Sequence, residues 1–179
     1  KLNVKSMKYF LFIFSFCILT ENTYSQDYNR EQQQHDVAFK ADIDSTVQYY
    51  VEILPAAFDP DKEYDLIIGL HGHGSARWQF ATDIRPECSA FRAFATKYNM
   101  IAISPDYRAK TSWMGPKAEA DIAQIIIDLK KKYKINRVYL IGGSMGGTSA
   151  LTFAVLHCDL INGVTSMNCH ANHIEYENF

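Results

Sequence analysis

The sequence has no long apolar run. Its longest, Tyr9–Leu19 (YFLFIFSFCIL), is eleven residues with only Ser15 polar, against the roughly 20 that cross a bilayer. It has no excess of one charge: 18 Lys and Arg stand against 20 Asp and Glu, for a formal net charge of -2, which excludes a basic face for nucleic acid. It has no internal repeat and no low-complexity tract, which excludes solenoids. It lacks a G-x-G-x-x-G in register and a Lys-Ser/Thr after its glycines, which argues against dinucleotide and phosphate-cradling loops. His71/His73 and His170/His173 form pairs, but no carboxylate or thiolate stands near them at regular ligand spacing, so no metal is expected. What is present is apolar mass: 47% hydrophobic and 13% aromatic residues in 179. That is incompatible with a disordered chain and sufficient for a core.

The short apolar run is preceded by Lys8 and followed by the polar stretch TENTYSQ. A basic start, a short apolar segment and a polar exit read as a secretory signal. Residues 1–25 are therefore expected to be a leader with a true start at Met7, residues 26–35 a flexible lead-in, and 36–179 the folded part. The product would be secreted or periplasmic, with no stable membrane span after cleavage. Of four cysteines, Cys17 leaves with the leader. Cys88, Cys158 and Cys169 are an odd number for an oxidising compartment. Either one bridge forms beside a free buried thiol, or a partner lies beyond Phe179; spacing does not choose. Oligomeric state is likewise not readable.

Further on, VAFKADI and VQYYVEILP flank Asp44-Ser45-Thr46, two β-prone runs about a turn, hence an antiparallel hairpin. DLIIGL (65–70), MIAIS (100–104) and RVYLIG (137–142) are short apolar runs suited to buried strands, and INGVTSM (161–167) is a further strand. Between them, 89–98, 116–134 and 148–157 have helical character. Pro116 opens the second of these, Ile122, Ile125, Ile126 and Leu129 form its apolar face, and its late lysines read as a solvated end complementing the helix dipole. Six strands alternating with helices on short connections predict an α/β fold with a mostly parallel sheet covered on both faces.

The strongest chemical signal is Gly142-Gly143-Ser144-Met145-Gly146-Gly147, a G-x-S-x-G between a buried strand and a helix. A serine on so tight a turn needs small neighbours two positions away, which Gly142 and Gly146 supply. The second signal is His71-Gly72-His73-Gly74, directly after DLIIGL. Small residues there let a backbone N–H approach a tetrahedral oxyanion, so the amides of His73 and Met145 are the candidate donors. His71 reads as packed and hydrogen-bonded beneath the loop. Trp78, Trp113, His170 and His173 are placed to border a pocket at the same sheet edge. His157 reads as a helix-end residue, and Asp106 with Arg108 as a loop-stabilising pair.

HGHGS, SPDYR and IGGSMGG, following three successive strands in this order, resemble the α/β-hydrolase superfamily. The likeness is to secreted bacterial esterases of the polyhydroxybutyrate-depolymerase and feruloyl or acetyl-xylan esterase type, which grade into prolyl-oligopeptidase-like hydrolases. It covers about Asp36 to Phe179. It implies Ser144 as nucleophile, the His73 and Met145 amides as oxyanion donors, no cofactor, and a small-molecule or polysaccharide-linked ester as substrate. The family orders its triad Ser, then Asp or Glu, then His, on loops after later strands. The acid and base are therefore expected past Phe179, the chain reads as the N-terminal part of its domain, and the fragment by itself is expected to be inactive. A serine peptidase of the prolyl-oligopeptidase type is the alternative within the class. A non-catalytic binding module is the alternative outside it.

Overall fold

A computed structural model of the chain describes residues 33–171. The expected leader, most of the lead-in, Cys17 and His173 lie outside the described residues. The elements run β1 (Gln33–Lys40), β2 (Val47–Leu54), β3 (Glu63–Leu70), α1 (Trp78–Thr82), α2 (Pro86–Lys97), β4 (Ile101–Pro105), α3 (Pro116–Lys132), β5 (Lys134–Gly143), α4 (Met145–Leu156) and β6 (Gly163–Met167). They form one sheet of order β1-β2-β4-β3-β5-β6. The β1–β2 and β2–β4 pairings are antiparallel, and the β4–β3, β3–β5 and β5–β6 pairings are parallel. This is the expected hairpin joined to a parallel sheet.

Local chemistry explains the hairpin. The amide and hydroxyl of Thr46 both donate to the Asp44 carboxylate, at 3.2 and 2.6 Å, closing a turn in which Ser45 takes φ +61°. β1 starts earlier than the alternation suggested: Gln33, Gln34 and His35 already pair with Leu54, Ile53 and Glu52. Their polarity hid them, since an edge strand with exposed side chains shows no apolar signature.

Side chains alternate across the central strands and feed two half-cores. On one face Leu66, Ile68, Leu70, Ile101, Ile103 and Leu140 pack on Ile122, Ile126 and Leu129 of α3 and Phe153 of α4. On the other, Ile67 and Ala102 meet Phe80 of α1 and Phe91 and Ala95 of α2. Each fully buried side chain of this size contributes about 1.5–3 kcal/mol.

Three readings are refined. The lysine run of α3 is exposed, as expected, and Lys132 also reaches a buried partner: its Nζ lies 3.0 and 3.2 Å from the carboxylate of Glu52, a residue of β2 only 3% exposed. A carboxylate on the covered side of a strand must be paired. Asp106 and Arg108 do stabilise loops, but not each other; Arg108 instead binds Asp44 and Asp121. Among the described residues no cysteines are bridged: Cys88 lies on the buried face of α2, Cys158 is exposed, and Cys169 Sγ lies 2.7 Å from Ser166 Oγ. Among the described residues, too, no helix is long and apolar enough to cross a membrane.

The second half-core is open at one side. Beside β6, the outermost strand on that side among the described residues, an apolar groove of about 570 Å³ runs between α2 and the β5–β6 pair, lined by Phe91, Phe94, Tyr98, Tyr139, Ile141 and Val164.

Candidate functional site

β5 ends at Gly143 and α4 begins at Met145, so one residue, Ser144, makes the whole turn. It takes φ 55°, ψ -124°, a region that costs an L-residue about 1–3 kcal/mol and persists only when its surroundings enforce it. They do. The Ser144 amide donates to the Met167 carbonyl of β6 at 2.9 Å, and its carbonyl accepts from Thr148 N–H at 3.1 Å. Gly142 and Gly146 are needed sterically: a Cβ on Gly142 would strike the Gly146 carbonyl, and one on Gly146 would strike the carbonyls of Leu70 and His71. Ser144 is consequently exposed while Gly142 and Met145 on either side are buried. Met145 is the first residue of α4, and its N–H has no acceptor among the described residues, as is usual for an amide in a helix's first turn; Met145 itself is buried and does not line the cavity at Ser144.

The loop after β3 is fixed amide by amide. Gly72 N–H donates to Gln79 Oε1 at 2.8 Å, and Gly74 N–H to the Lys110 carbonyl at 2.8 Å. Between them, the His73 amide has no acceptor among the described residues. His71 is fully buried under this loop. Its Nδ1 lies 2.9 Å from the Gly72 carbonyl and its Nε2 3.1 Å from that of Asp106. The next loop braces it: Tyr107 Oη donates to the His71 carbonyl, and burial pushes the Tyr107 phenol far above its ordinary pKa. Asp106 accepts from both the amide and the guanidinium of Arg77. Arg77 also binds Asp36 of β1, and this bond chiefly, with the neighbouring carboxylates, raises its pKa.

Ser144, Gly72, His73 and Gly74 thus line one cavity of about 550 Å³. The other sequence candidates are distributed differently. Trp78 points outward against the Arg77 guanidinium, 5.7 Å from its ring centre. Trp113 packs 6.1 Å from the His73 ring without lining the cavity. His170 lies at a separate depression beside α4 with Leu151 and Val155, and its carbonyl accepts from Thr148 Oγ1. His157 ends α4, with Nε2 2.9 Å from Glu119. No imidazole hydrogen-bonds Ser144 among the described residues.

Sequence reading missed Gln79, Phe80, Arg85, Glu87, Met167 and Asn168, which also line the cavity. Asn168 had a usable signal, since it directly follows a parallel strand at the edge where such sheets place their sites. Arg85 holds the Asp83 carboxyl below the usual range through hydrogen bonds of 2.6 and 2.9 Å and keeps Glu87 within 3.8 Å. Polar groups therefore surround the serine on this side. Among the described residues no three His, Cys, Asp or Glu come together as metal ligands would.

Similar structures share this arrangement of elements. The fluorophosphonate-binding serine hydrolase F of Staphylococcus aureus, substrate bound, superposes with a TM-score of 0.68 at 15% identity, over 83% of this chain and 61% of that one. A CE1 ferulic acid esterase of the anaerobic fungus Anaeromyces mucronatus gives 0.58 at 21% identity, over 75% and 58%. An S-formylglutathione hydrolase of Agrobacterium tumefaciens gives 0.64 at 11%, over 77% and 58%. The chain thus matches about three fifths of their length. Among curated proteins no sequence match is found. The family profile of the alpha/beta hydrolase fold matches residues 71–179, from the histidine under the first loop through the serine turn and beyond, and the chain belongs to that family.

Proposed function

We propose that the full-length protein is an exported serine hydrolase cleaving carboxylic esters, with Ser144 as nucleophile. The observation that carries this reading is the enforced backbone of Ser144 (φ 55°, ψ -124°) with its hydroxyl exposed in a cavity shared with His73. Strain of this kind is retained where it serves a reaction. Ser144 Oγ attacks the acyl carbonyl, and the negative charge that develops on its oxygen falls to the amides of His73 and Met145. Collapse of the tetrahedral species expels the alcohol and leaves an acyl-serine, which water hydrolyses. The proton of Ser144 needs a base, assigned to a histidine beyond residue 179 and oriented by an Asp or Glu there, following the family's order. No cofactor takes part in these steps.

Acyl esters of carbohydrates are the proposed substrates. The polar wall of Gln79, Arg85, Glu87 and Asn168 suits a hydroxyl-rich leaving group, and a ferulic acid esterase is among the similar structures. The test is fluorophosphonate labelling of the full-length protein, with hydrolysis of p-nitrophenyl acetate and of feruloylated or acetylated sugars. Labelling at Ser144 and turnover lost about a million-fold in Ser144→Ala are expected. Cleavage of peptide but not ester substrates would give the peptidase reading, and neither labelling nor turnover the binding-module reading.

A further inference from the structure

We infer that Gln79 touches the substrate, its side-chain Nε2 donating a third hydrogen bond to the oxyanion formed at Ser144. This inference rests on the reading of Ser144 as nucleophile. Gln79 lies in the first turn of α1 and lines the same cavity as Ser144 and His73. Its carboxamide orientation follows from chemistry. Gly72 N–H can only donate, so the side chain must turn its oxygen toward it, and does so at 2.8 Å. The NH₂ end is thereby directed away from Gly72, and no acceptor meets it among the described residues.

Two further facts place that amide. Around the Cα of Gly72, the nearest outside atoms are the carbonyl oxygen of Gly143, the residue before Ser144, and Gln79 Oε1; a Cβ there would lie 3.6 and 3.9 Å from them. The carboxamide therefore sits where the loop after β3 meets the turn after β5. α1 is held on both sides of Gln79: Phe80 is buried against Gly69 of β3, and Arg77 is clamped between Asp36 and Asp106. Its position is thus set before substrate arrives, which is the condition under which a donor lowers a barrier. On this inference Gln79 does two jobs with one group: the oxygen fixes the Gly72 amide next to His73, and the nitrogen, at the other end of the carboxamide on the cavity wall, serves the oxyanion.

The two jobs are separable in the full-length protein with p-nitrophenyl acetate as probe. Gln79→Glu keeps an oxygen for Gly72 N–H but replaces the donor with a carboxylate beside developing negative charge. We expect kcat to fall about 100-fold or more, KM to change less than about threefold, and the thermal midpoint to stay put. As pH falls through the range in which the introduced carboxyl takes up a proton, the ratio of mutant to wild-type kcat should rise. Gln79→Leu, which loses both roles, should lose at least as much kcat and also some stability. Full kcat in Gln79→Glu with loss only in Gln79→Leu would reduce Gln79 to a support for Gly72 and overturn the inference. So would a loss confined to KM, or a mutant-to-wild-type ratio independent of pH. If the wild-type protein neither turns over the ester nor labels at Ser144, the nucleophile reading fails and this inference falls with it, a result distinct from an active wild type with an indifferent variant.

Discussion

The phenolic hydroxyl of Tyr107 donates a 2.5 Å hydrogen bond to the main-chain carbonyl of His71, joining the loop after β4 to the loop after β3. The two rings lie 4.5 Å apart between centroids, and Tyr107 is 3% exposed. The same His71 carbonyl borders the Cα of Gly146, so one oxygen is where both loops and the serine turn meet. Tyr107→Phe leaves that carbonyl buried without its donor. A loss of about 1–2 kcal/mol is expected, together with a fall in kcat of the full-length protein, since the loop carries the His73 amide. Equilibrium denaturation measures the first part; an unchanged midpoint would show that the carbonyl finds another donor.

Gly146 and Gly115 form a matched pair for the steric argument. Alanine at Gly146 drives a methyl group into the backbone of Leu70 and His71, whereas at Gly115 it meets only the Ser112 carbonyl at an ordinary 3.5 Å, with φ -63°. Gly146→Ala should cost about 3 kcal/mol, the upper range for overpacking, and Gly115→Ala less than about 1 kcal/mol. Urea unfolding of both separates them. Equal costs would mean that the β5–α4 turn can shift to admit a Cβ.

Lys132 and Glu52 carry a third prediction. Glu52 is 3% exposed, and besides Lys132 it has the Tyr133 hydroxyl at 3.0 Å. Lys132→Met leaves the buried carboxylate with only the Tyr133 hydroxyl, at a cost of about 1–3 kcal/mol, moderated because the Lys132 side chain is itself half exposed. Combining it with Glu52→Gln should recover much of the loss. A double-mutant cycle gives the coupling directly, and additive effects would show that solvent already satisfies Glu52.

Cys88 and Cys158 should differ sharply in reactivity. Burial pushes the Cys88 thiol up to about 11 from an ordinary 9.0, while Cys158 is exposed. At pH 8, maleimide should modify Cys158 in the native protein and reach Cys88 only on unfolding. The raised value means that the folded state holds this proton more tightly than the unfolded chain does. The stability it contributes is complete below about pH 9 and is lost as pH rises from about 9 to about 11. A native Cys88 that reacts as fast as Cys158 would show that α2 opens readily.

Where apolar periodicity was strong, sequence and structure agree closely. The runs 65–70 and 137–142 lie wholly in strands of the sheet and 100–104 does so from Ile101, because a strand covered by helices must be largely apolar; 161–167 becomes a strand only from Gly163, and that strand is half exposed. Polar or short elements were not legible. β1 opens with Gln33, Gln34 and His35, and α1 is five residues long; neither carries a periodic signal of its own. α2 begins at Pro86, three residues before the helical pattern does, and α4 begins at Met145 rather than Thr148. In the latter case the glycines that disfavour helix on propensity are required by close contacts, Gly146 with the end of β3 and Gly147 with Ser166 and Cys169.

The amino-acid sequence by itself determined the fold class, the serine turn and the small-residue loop facing it, because these depend on residue type at close spacing: a strand that must be apolar, a turn that must be glycine. Only the tertiary structure decided which side chains share the cavity. Gln79 reaches Gly72 across seven positions, and Asn168 comes beside Ser144 because β6 pairs with β5 and accepts the Ser144 amide at Met167. It also turned the two tryptophans and His170 elsewhere. Such placements follow from sheet order and from which face of each helix is buried, and these are set by packing over the whole domain rather than by any local pattern.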